Sequence, residues 1–275
     1  MPTRERIRHE LQIRRTTVQS VTPLNDSMVR VTVADESLLG FDAPGPTDHV
    51  KLFFPDPETG RLTTPEVTAE GLKRPTDGVI LSRDFTPLVY REENASGLPE
   101  LDIDFVRHGD DGPATAFASS VKPGDLLGVA GPRGSKLAPE GISRVVLIAD
   151  ETALPAFTRW LDLLPTGVKV TAIVLVNDED AETYLTDEHR SRTNIEMLYR
   201  EDGPGQLLEA VRSLGPLDAD TYVWAAGEAS ELVPVRRYLR RDLGLGKEQA
   251  EVEGYWKRGI VNLDHHAPLD PSDPD

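Results

Sequence analysis

The chain has 275 residues, enough for two domains of ordinary size, and its lack of cysteine excludes disulfides, thiolate metal sites and a cysteine nucleophile. Thirty basic residues stand against 47 acidic ones, and the formal net charge of −17 argues against nucleic-acid or anionic-membrane partners. No apolar run could span a membrane and no signal peptide is recognisable, so we expect a soluble cytoplasmic protein without membrane insertion.

The first half of the chain has the pattern of a small antiparallel β-barrel. Its apolar segments are short and rich in β-branched residues, and clusters of Pro, Gly, Asp and Asn separate them. We predict strands at 16–24, 28–34, 49–54, 101–108 and 126–131. Pro113, at the start of the segment 112–121, predicts one helix in this half.

In the second half, continuous apolar strands alternate with amphipathic helices. The predicted strands are 144–150, 168–176, 194–200, 221–227 and 250–256, and the predicted helices are 153–164, 205–214 and 231–243. This alternation is typical of an α/β parallel sheet covered on both faces. We therefore expect a β-barrel domain at 1–138, an α/β domain at 139–264 and an unstructured polar tail at 265–275.

The barrel half contains the segment LSRDFTPLVYR, residues 81–91, which combines a cation, an aromatic face and a hydroxyl. Arg83, Phe85 and Thr86 would suit a cofactor that carries phosphates on a flat conjugated ring, such as FAD. The alternative is a surface arginine beside a core phenylalanine.

A second motif, DFVRHGDDGPATAFA at 104–118, ends a strand, turns through Gly112 and opens a helix at Pro113. Free backbone N–H groups at such a helix start can bind a pyrophosphate. The alternative is a turn and helix cap with no ligand.

Six motifs in series, RDFTP, HGDDGPATAFA, AGPRGS, ADETALPA, WAAGE and GYWKRG, make the chain resemble a known family. In order and spacing they are similar to the siderophore-interacting proteins, FAD-dependent ferric-siderophore reductases of the ferredoxin–NADP reductase superfamily. The resemblance extends over residues 12–260. It implies a flavin-binding barrel followed by a nicotinamide-binding-type domain.

The resemblance also implies which residues contact FAD. They are Arg83, Phe85 and Thr86 on one strand, Asp104, Val106 and His108 on the next, and Gly112, Ala114 and Phe117 on the phosphate-facing turn and helix. The chain departs from the family where Phe85 replaces Tyr, Phe117 replaces Trp and Leu88 replaces a second Arg. We expect FAD to bind, although Arg83 has less help with the phosphates.

The electron donor is less clearly indicated. Where ferredoxin–NADP reductases have a glycine-rich turn, Asp150 and Glu151 would repel a nucleotide pyrophosphate, and Thr152 either reaches the flavin or, as we favour, caps a helix. The acidic residues at 177–180 favour NADH over NADPH, unless they form a solvated loop. NADPH and a reduced ferredoxin-like protein stay open as donors.

A ferric siderophore would need positive charge near the flavin. By the family resemblance Lys51, Lys257 and Arg258 would border that substrate, whereas without it they read as ordinary solvated side chains. No side chain need act as acid, base or nucleophile, and the six histidines show no metal-site spacing. The alternatives are a related flavoprotein reductase with another acceptor and a non-catalytic ferric-siderophore-binding protein.

Overall fold

The computed structural model describes the chain except for residues 1, 108–111, 262, 264–267 and 274–275. The chain divides into two compact units, Arg6–Leu137 and the part from Ala138 onward, and the described residues before Arg6 join the second unit. Arg4 explains this attachment, because it pairs with Glu251 and its guanidinium lies 5.2 Å from the centre of the Trp160 ring. The first residues therefore belong to the second unit, although the sequence placed them in the barrel domain.

The first unit is built from antiparallel strands and one α-helix. They are β1 (Arg6–Arg8), β2 (Ile13–Pro23), β3 (Met28–Ala34), β4 (Val50–Phe54), β5 (Glu66–Thr68), β6 (Gly71–Lys73), β7 (Leu81–Phe85), β8 (Val89–Arg91), β9 (Glu100–Val106), α1 (Pro113–Ser120), β10 (Leu126–Ala130) and β11 (Gly134–Lys136). Seven strands form a curled sheet in the order β7-β4-β10-β2-β3-β9-β8, while β1 pairs with β11 and β5 with β6. This half-barrel confirms the fold class predicted for the first half.

Alternation along the strands builds the core of this unit. Val31 of β3 lies opposite Ile103 of β9, and both are fully buried in the same apolar cluster. The neighbouring pair, Thr32 and Asp102, faces the other side of the sheet, where Thr32 donates a hydrogen bond of 2.7 Å to Asp102. The period of two in the sequence thus separates an apolar inner face from a polar outer face.

The second unit is a parallel sheet with intervening helices. Its elements are β12 (Arg144–Asp150), α2 (Leu154–Leu163), β13 (Lys169–Val176), α3 (Asp187–Ser191), β14 (Thr193–Tyr199), α4 (Gln206–Ser213), β15 (Thr221–Glu228), α5 (Ala229–Arg237) and β16 (Ala250–Trp256). The strand order β14-β13-β12-β15-β16 confirms the predicted α/β fold class. In the described part of the chain, no helix is both long and apolar enough for a membrane crossing.

Part of the polar tail packs against α5. Asp270 accepts a hydrogen bond of 2.8 Å from Arg237, Asp273 pairs with Arg241, and Leu269 joins the apolar cluster of the second unit. We expected this tail to be unstructured because it is rich in Pro and Asp. The ordering has an electrostatic reason, since the tail carboxylates meet Arg237 at the end of α5 and Arg241 in the helical turn that follows it.

Candidate functional site

Arg83 and Phe85 lie on one face of β7. In the antiparallel pairing of β7 with β4, Arg83 lies opposite Leu52 and Phe85 opposite Val50, and both partners belong to the apolar core. Since directly opposed residues share a face, Arg83 and Phe85 both point to the core side of the sheet. Thr86 follows directly and is buried. The structure therefore places Arg83 and Phe85 on one face, and Thr86 is their neighbour along the chain.

The N-terminus of α1 lies beside Arg83. A Cβ atom on Gly112, the residue before the helix, would lie 4.0 Å from Arg83 Nη2. Pro113 opens the helix, and the N–H groups of Ala114 and the following residue have no acceptor within it. Arg83 donates to the Ser82 carbonyl at 2.7 Å, and burial lowers its pKa from the ordinary value without removing the charge. A guanidinium and a helix N-terminus, two features that favour anions, thus adjoin each other.

The aromatic side chains of this region form a cluster of phenylalanines. The Phe85 ring centre lies 4.5 Å from that of Phe105, and the Phe117 ring centre lies 5.9 Å from that of Phe105 and 5.3 Å from that of Phe54. At both positions the phenylalanine packs through its ring, a contact that needs neither a hydroxyl nor an indole N–H.

The side chains of α1 pack toward the core. Ala114 and Phe117, which the family resemblance assigns to the phosphate-facing turn and helix, contact the apolar core together with Ala118 and Val121. Their spacing of three and four residues defines one helix face, and that face is turned inward. The backbone N–H of Ala114 suits a phosphate, and a cofactor contact by Phe117 stays a prediction.

Asp104 and Val106 lie on the opposite face of their strand. Asp104 accepts two hydrogen bonds from Arg30, at 2.8 and 2.9 Å, and its side chain is fully buried in this ion pair. By alternation along β9, Phe105 faces the core and its two neighbours face outward. The structure does not bring Asp104 or Val106 to the face of Arg83 and Phe85, and His108 lies outside the described residues.

Lys51 is also on the outer face of its strand pair. It lies opposite Asp84 and forms an ion pair with that carboxylate at 2.7 Å. The Lys51 side chain stays 42 % exposed, so its ammonium is accessible to solvent while it is paired. An anionic ligand at Lys51 would compete with Asp84.

In the second unit, Asp150 ends β12 and is buried. Its carboxylate accepts hydrogen bonds from the backbone N–H of Glu228 at 2.9 Å and from the indole of Trp256 at 2.8 Å. Thr152 donates to it twice, through its backbone N–H at 2.9 Å and its hydroxyl at 2.6 Å. Burial and the nearby Glu151 raise the pKa of Asp150, while its donors lower it in part. Thr152 is thus engaged in the cap of a short helix, in which Asp150 is the capping residue.

Arg200 is a site residue that sequence reasoning missed. It follows β14 directly, donates to both carboxylate oxygens of Glu151 at 2.8 and 2.7 Å, and lies 3.4 Å from Asp150 and from Glu231. Burial lowers the pKa of Arg200, but these carboxylates raise it overall. A signal was present, because the ends of parallel strands meet at one edge of a sheet, so an arginine after β14 lies near acids that follow β12.

The remaining predicted residues of this unit lie near that edge or beyond it. Asp178 caps a short helix by accepting a hydrogen bond of 3.3 Å from the Ala181 N–H. This residue thus has a role in local structure that needs no nucleotide. Lys257 is half-buried at a tight turn that closes with a hydrogen bond from Ile260, and Arg258 is exposed.

Comparison with known proteins gives consistent matches over both units. The siderophore-interacting FAD-binding domain family matches residues 17–136, and the siderophore-interacting protein family matches residues 142–259. The NADPH-dependent ferric-chelate reductase of Escherichia coli is 35 % identical over 256 residues, which cover 92 % of this chain and 96 % of that protein. Ferric vibriobactin reductase ViuB of Vibrio cholerae is 29 % identical over 88 % of this chain and 89 % of its own.

A solved structure agrees with these matches. The crystal structure of a siderophore utilization protein from T. fusca has a TM-score of 0.85 and 38 % sequence identity to this chain. The likeness covers 97 % of this chain and 100 % of that one, so it includes both units.

Proposed function

Since the chain belongs to the siderophore-interacting protein family, we propose that it is an FAD-dependent reductase that transfers electrons to ferric iron in a siderophore complex and releases ferrous iron. The observation that carries this proposal is the likeness to a ferric-chelate reductase, 35 % identical along nearly the full length of both chains. The family resemblance in the sequence predicted the same activity.

The donor set in the first unit fits FAD. Arg83 and the N-terminus of α1 adjoin each other and suit phosphate oxygens, and Phe85 and the buried Thr86 follow Arg83 along the chain. Bound FAD would supply the redox chemistry, since it can take two electrons as a hydride from NAD(P)H and pass them singly to two ferric ions, which leaves NAD(P)⁺, a proton and two ferrous ions.

The side chains of this unit then have binding and orienting roles. Arg83 and the backbone of α1 hold phosphate charge, while Phe85 offers an apolar face supported from behind by Phe105. Thr86 offers a hydroxyl to a polar ring edge. No proton transfer by the protein is required, because ferric iron accepts electrons alone.

The cations that we assign to recognition of an anionic ferric chelate are Lys51 in the first unit and, considered separately, Lys257 and Arg258 in the second. Lys51 supports this role because its ammonium is exposed and already paired with the carboxylate of Asp84. An anionic chelate can replace that carboxylate as the partner of Lys51. Arg258 is exposed and Lys257 half-buried. Local cations of this kind are needed because the chain as a whole carries a net charge of −17.

The electron donor is a pyridine nucleotide, as the name of the Escherichia coli relative indicates for that protein. The preference for NADH over NADPH stays a prediction from the acidic residues after β13, and we expect it to remain below about tenfold in rate constant. We place the reaction in the cytoplasm, where reduced pyridine nucleotides are available.

The test is spectroscopic. The purified protein should be yellow or bind added FAD, should bleach anaerobically with NADPH or NADH, and should regain colour when a ferric siderophore is added, with ferrous iron captured by a coloured chelator. Colourless protein that refuses FAD would contradict the proposal. Reoxidation by quinones or soluble carriers but not by ferric chelates would favour the reductase with another acceptor, and flavin that no donor reduces would favour the binding protein.

A further inference from the structure

Parallel sheets with this strand order bind nucleotides at a defined place. From the first strand of the sheet, the chain adds strands on one side and then returns to add strands on the other side. Ligands bind between the first strand and the neighbour added after that return, at the carboxyl ends of these two strands. Here the two strands are β12 and β15, which end at Asp150 and Glu228. We call the space at these two strand ends the switch-point crevice.

The switch-point crevice is filled by the protein itself. A Cβ atom on Gly227 would lie 2.7 Å from the carboxylate of Asp150. The space that this glycine leaves at the strand end is therefore occupied by the Asp150 side chain. The cavity that remains beside Asp150, Gly227 and Glu231 has a volume of about 10 Å³. That is no more than the space of one water molecule, and a diphosphate needs far more.

Asp150 also takes the donors that a phosphate would use. Its carboxylate receives backbone N–H groups from two chain segments, a hydroxyl, an indole N–H and, at 3.4 Å, the guanidinium of Arg200. These are the groups with which proteins commonly bind phosphate oxygens. An internal anion thus stands where the pyrophosphate of a dinucleotide would be expected.

The negative charge of the surrounding groups also disfavours a phosphate in the crevice. Glu151 and Glu228 are buried beside Asp150, and Glu231 borders the crevice. Arg200 is already engaged by Asp150, Glu151 and Glu231. An entering phosphate would have to displace these carboxylates from Arg200 or approach them against repulsion.

We propose that Asp150, held by Arg200 and Trp256, closes the switch-point crevice to nucleotide phosphates, so that the electron donor is recognised through its dihydronicotinamide half and not through its adenosine phosphate half. This inference rests on the proposed function, in which a pyridine nucleotide is the donor. It makes Asp150 a specificity-determining residue: because of it, the protein does not prefer dinucleotide donors over shorter dihydronicotinamides.

The first experiment compares donors on the wild-type, FAD-loaded protein. Anaerobic stopped-flow bleaching of the flavin is measured with NADPH, NADH and reduced nicotinamide mononucleotide, which lacks the adenosine half. We expect second-order rate constants within about tenfold of one another, whereas a rate constant roughly 100-fold higher for either dinucleotide would overturn the proposal. Failure of all three donors to bleach the flavin would instead contradict the proposed function.

The second experiment needs no turnover. Isothermal titration calorimetry of the same protein with adenosine 2′,5′-bisphosphate and with ADP should show no binding at ligand concentrations of about 1 mM. A dissociation constant below roughly 100 µM for either compound would overturn the inference whether or not the flavin can be reduced. The two proposals can therefore fail separately.

A variant tests Asp150 itself. Asp150→Ala removes the carboxylate above Gly227 and should create measurable binding of adenosine 2′,5′-bisphosphate, while Asp162→Ala, at an exposed position of α2 in the same unit, should not. Circular dichroism establishes that each variant is folded. A folded Asp150→Ala protein that still ignores the bisphosphate would refute the role of Asp150, and the wild-type measurements decide the proposal if the variant does not fold.

Discussion

Replacing Arg200 with Met removes a guanidinium from a group of buried carboxylates. The Arg200 side chain is 12 % exposed, and the side chains of its partners Asp150 and Glu151 are 4 % and 2 % exposed. Methionine keeps most of the length and apolar stem but leaves these carboxylates without their cation. Breaking a buried ion pair on one side typically costs about 3–5 kcal/mol, because the remaining charge is stranded away from water. We expect Arg200→Met to lower the free energy of unfolding at pH 7.5 by that amount.

The measurement is urea unfolding followed by tryptophan fluorescence. All three tryptophans of the chain, at positions 160, 224 and 256, lie in the second unit, so the signal reports on the unit that contains Arg200. The control is Arg190→Met, in the same unit, which removes a half-exposed arginine 3.4 Å from Glu182. Because partly exposed pairs contribute little, we expect the control to lose less than about 1 kcal/mol.

The loss should depend on pH in a defined direction. The pKa of Asp150 is raised above its ordinary value of 3.8 in the folded protein, and Arg200 is one of the groups that lower it, so the variant should raise it further. Between the ordinary pKa of Asp150 in the unfolded variant and its raised pKa in the folded variant, the folded state binds more protons than the unfolded state. The stability of the variant therefore falls as pH rises through that window. The cost of Arg200→Met should therefore shrink when the pH is lowered from neutral toward the pKa of a free carboxyl group. A cost below about 1 kcal/mol at pH 7.5, or one that does not change with pH, would refute this account of the buried network.

Three further outcomes test the first unit and the substrate cations. Arg83→Ala should weaken FAD binding by at least about tenfold, as expected for a lost charge-assisted hydrogen bond, and Arg61→Ala, which removes an exposed ion pair, should leave it unchanged in flavin titrations. Asp104→Ala should leave FAD affinity within about twofold but lower the stability of the unit by roughly 1–3 kcal/mol. The reason is that Arg30, which is only partly exposed, loses its buried carboxylate partner. A large loss of FAD affinity without a change in stability would instead support Asp104 as a cofactor ligand. Lys51→Ala and Lys257→Ala should each raise KM for the ferric chelate several-fold, in the range of about 1 kcal/mol per lost charge contact, with unchanged flavin content. Loss of flavin from either lysine variant would mean that these side chains are structural.

Several elements could be read directly from the sequence because their signals are local. The apolar runs 144–150 and 250–256 were predicted with the bounds that the structure has, and Pro113 located the start of α1 within the predicted segment. Arg83 and Phe85 could be placed on one face because a strand alternates with a period of two. These inferences need only the chain itself, since backbone geometry fixes where neighbouring side chains point.

Other features depend on a partner far along the chain, which no local pattern reveals. Asp104 resembled a cofactor ligand, but Arg30 reaches it across the sheet, 74 residues away in sequence. The cofactor role of Phe117 comes from the family resemblance and stays a prediction, while its core packing became visible only in the structure. The acidic tail has no local signal for order, because its carboxylates find arginines in α5 and in the helical turn after it.

The sequence by itself determined the two kinds of fold, their order along the chain and the family, because hydrophobic period and motif spacing are properties of one segment at a time. The tertiary structure alone decided what happens at the carboxyl edge of the parallel sheet. There Asp150, Arg200, Glu228 and Trp256, from four separate strand ends, meet around one buried carboxylate. The physical reason is that a buried charge is tolerated only with matching donors, and folding brings those donors from positions that no local pattern connects.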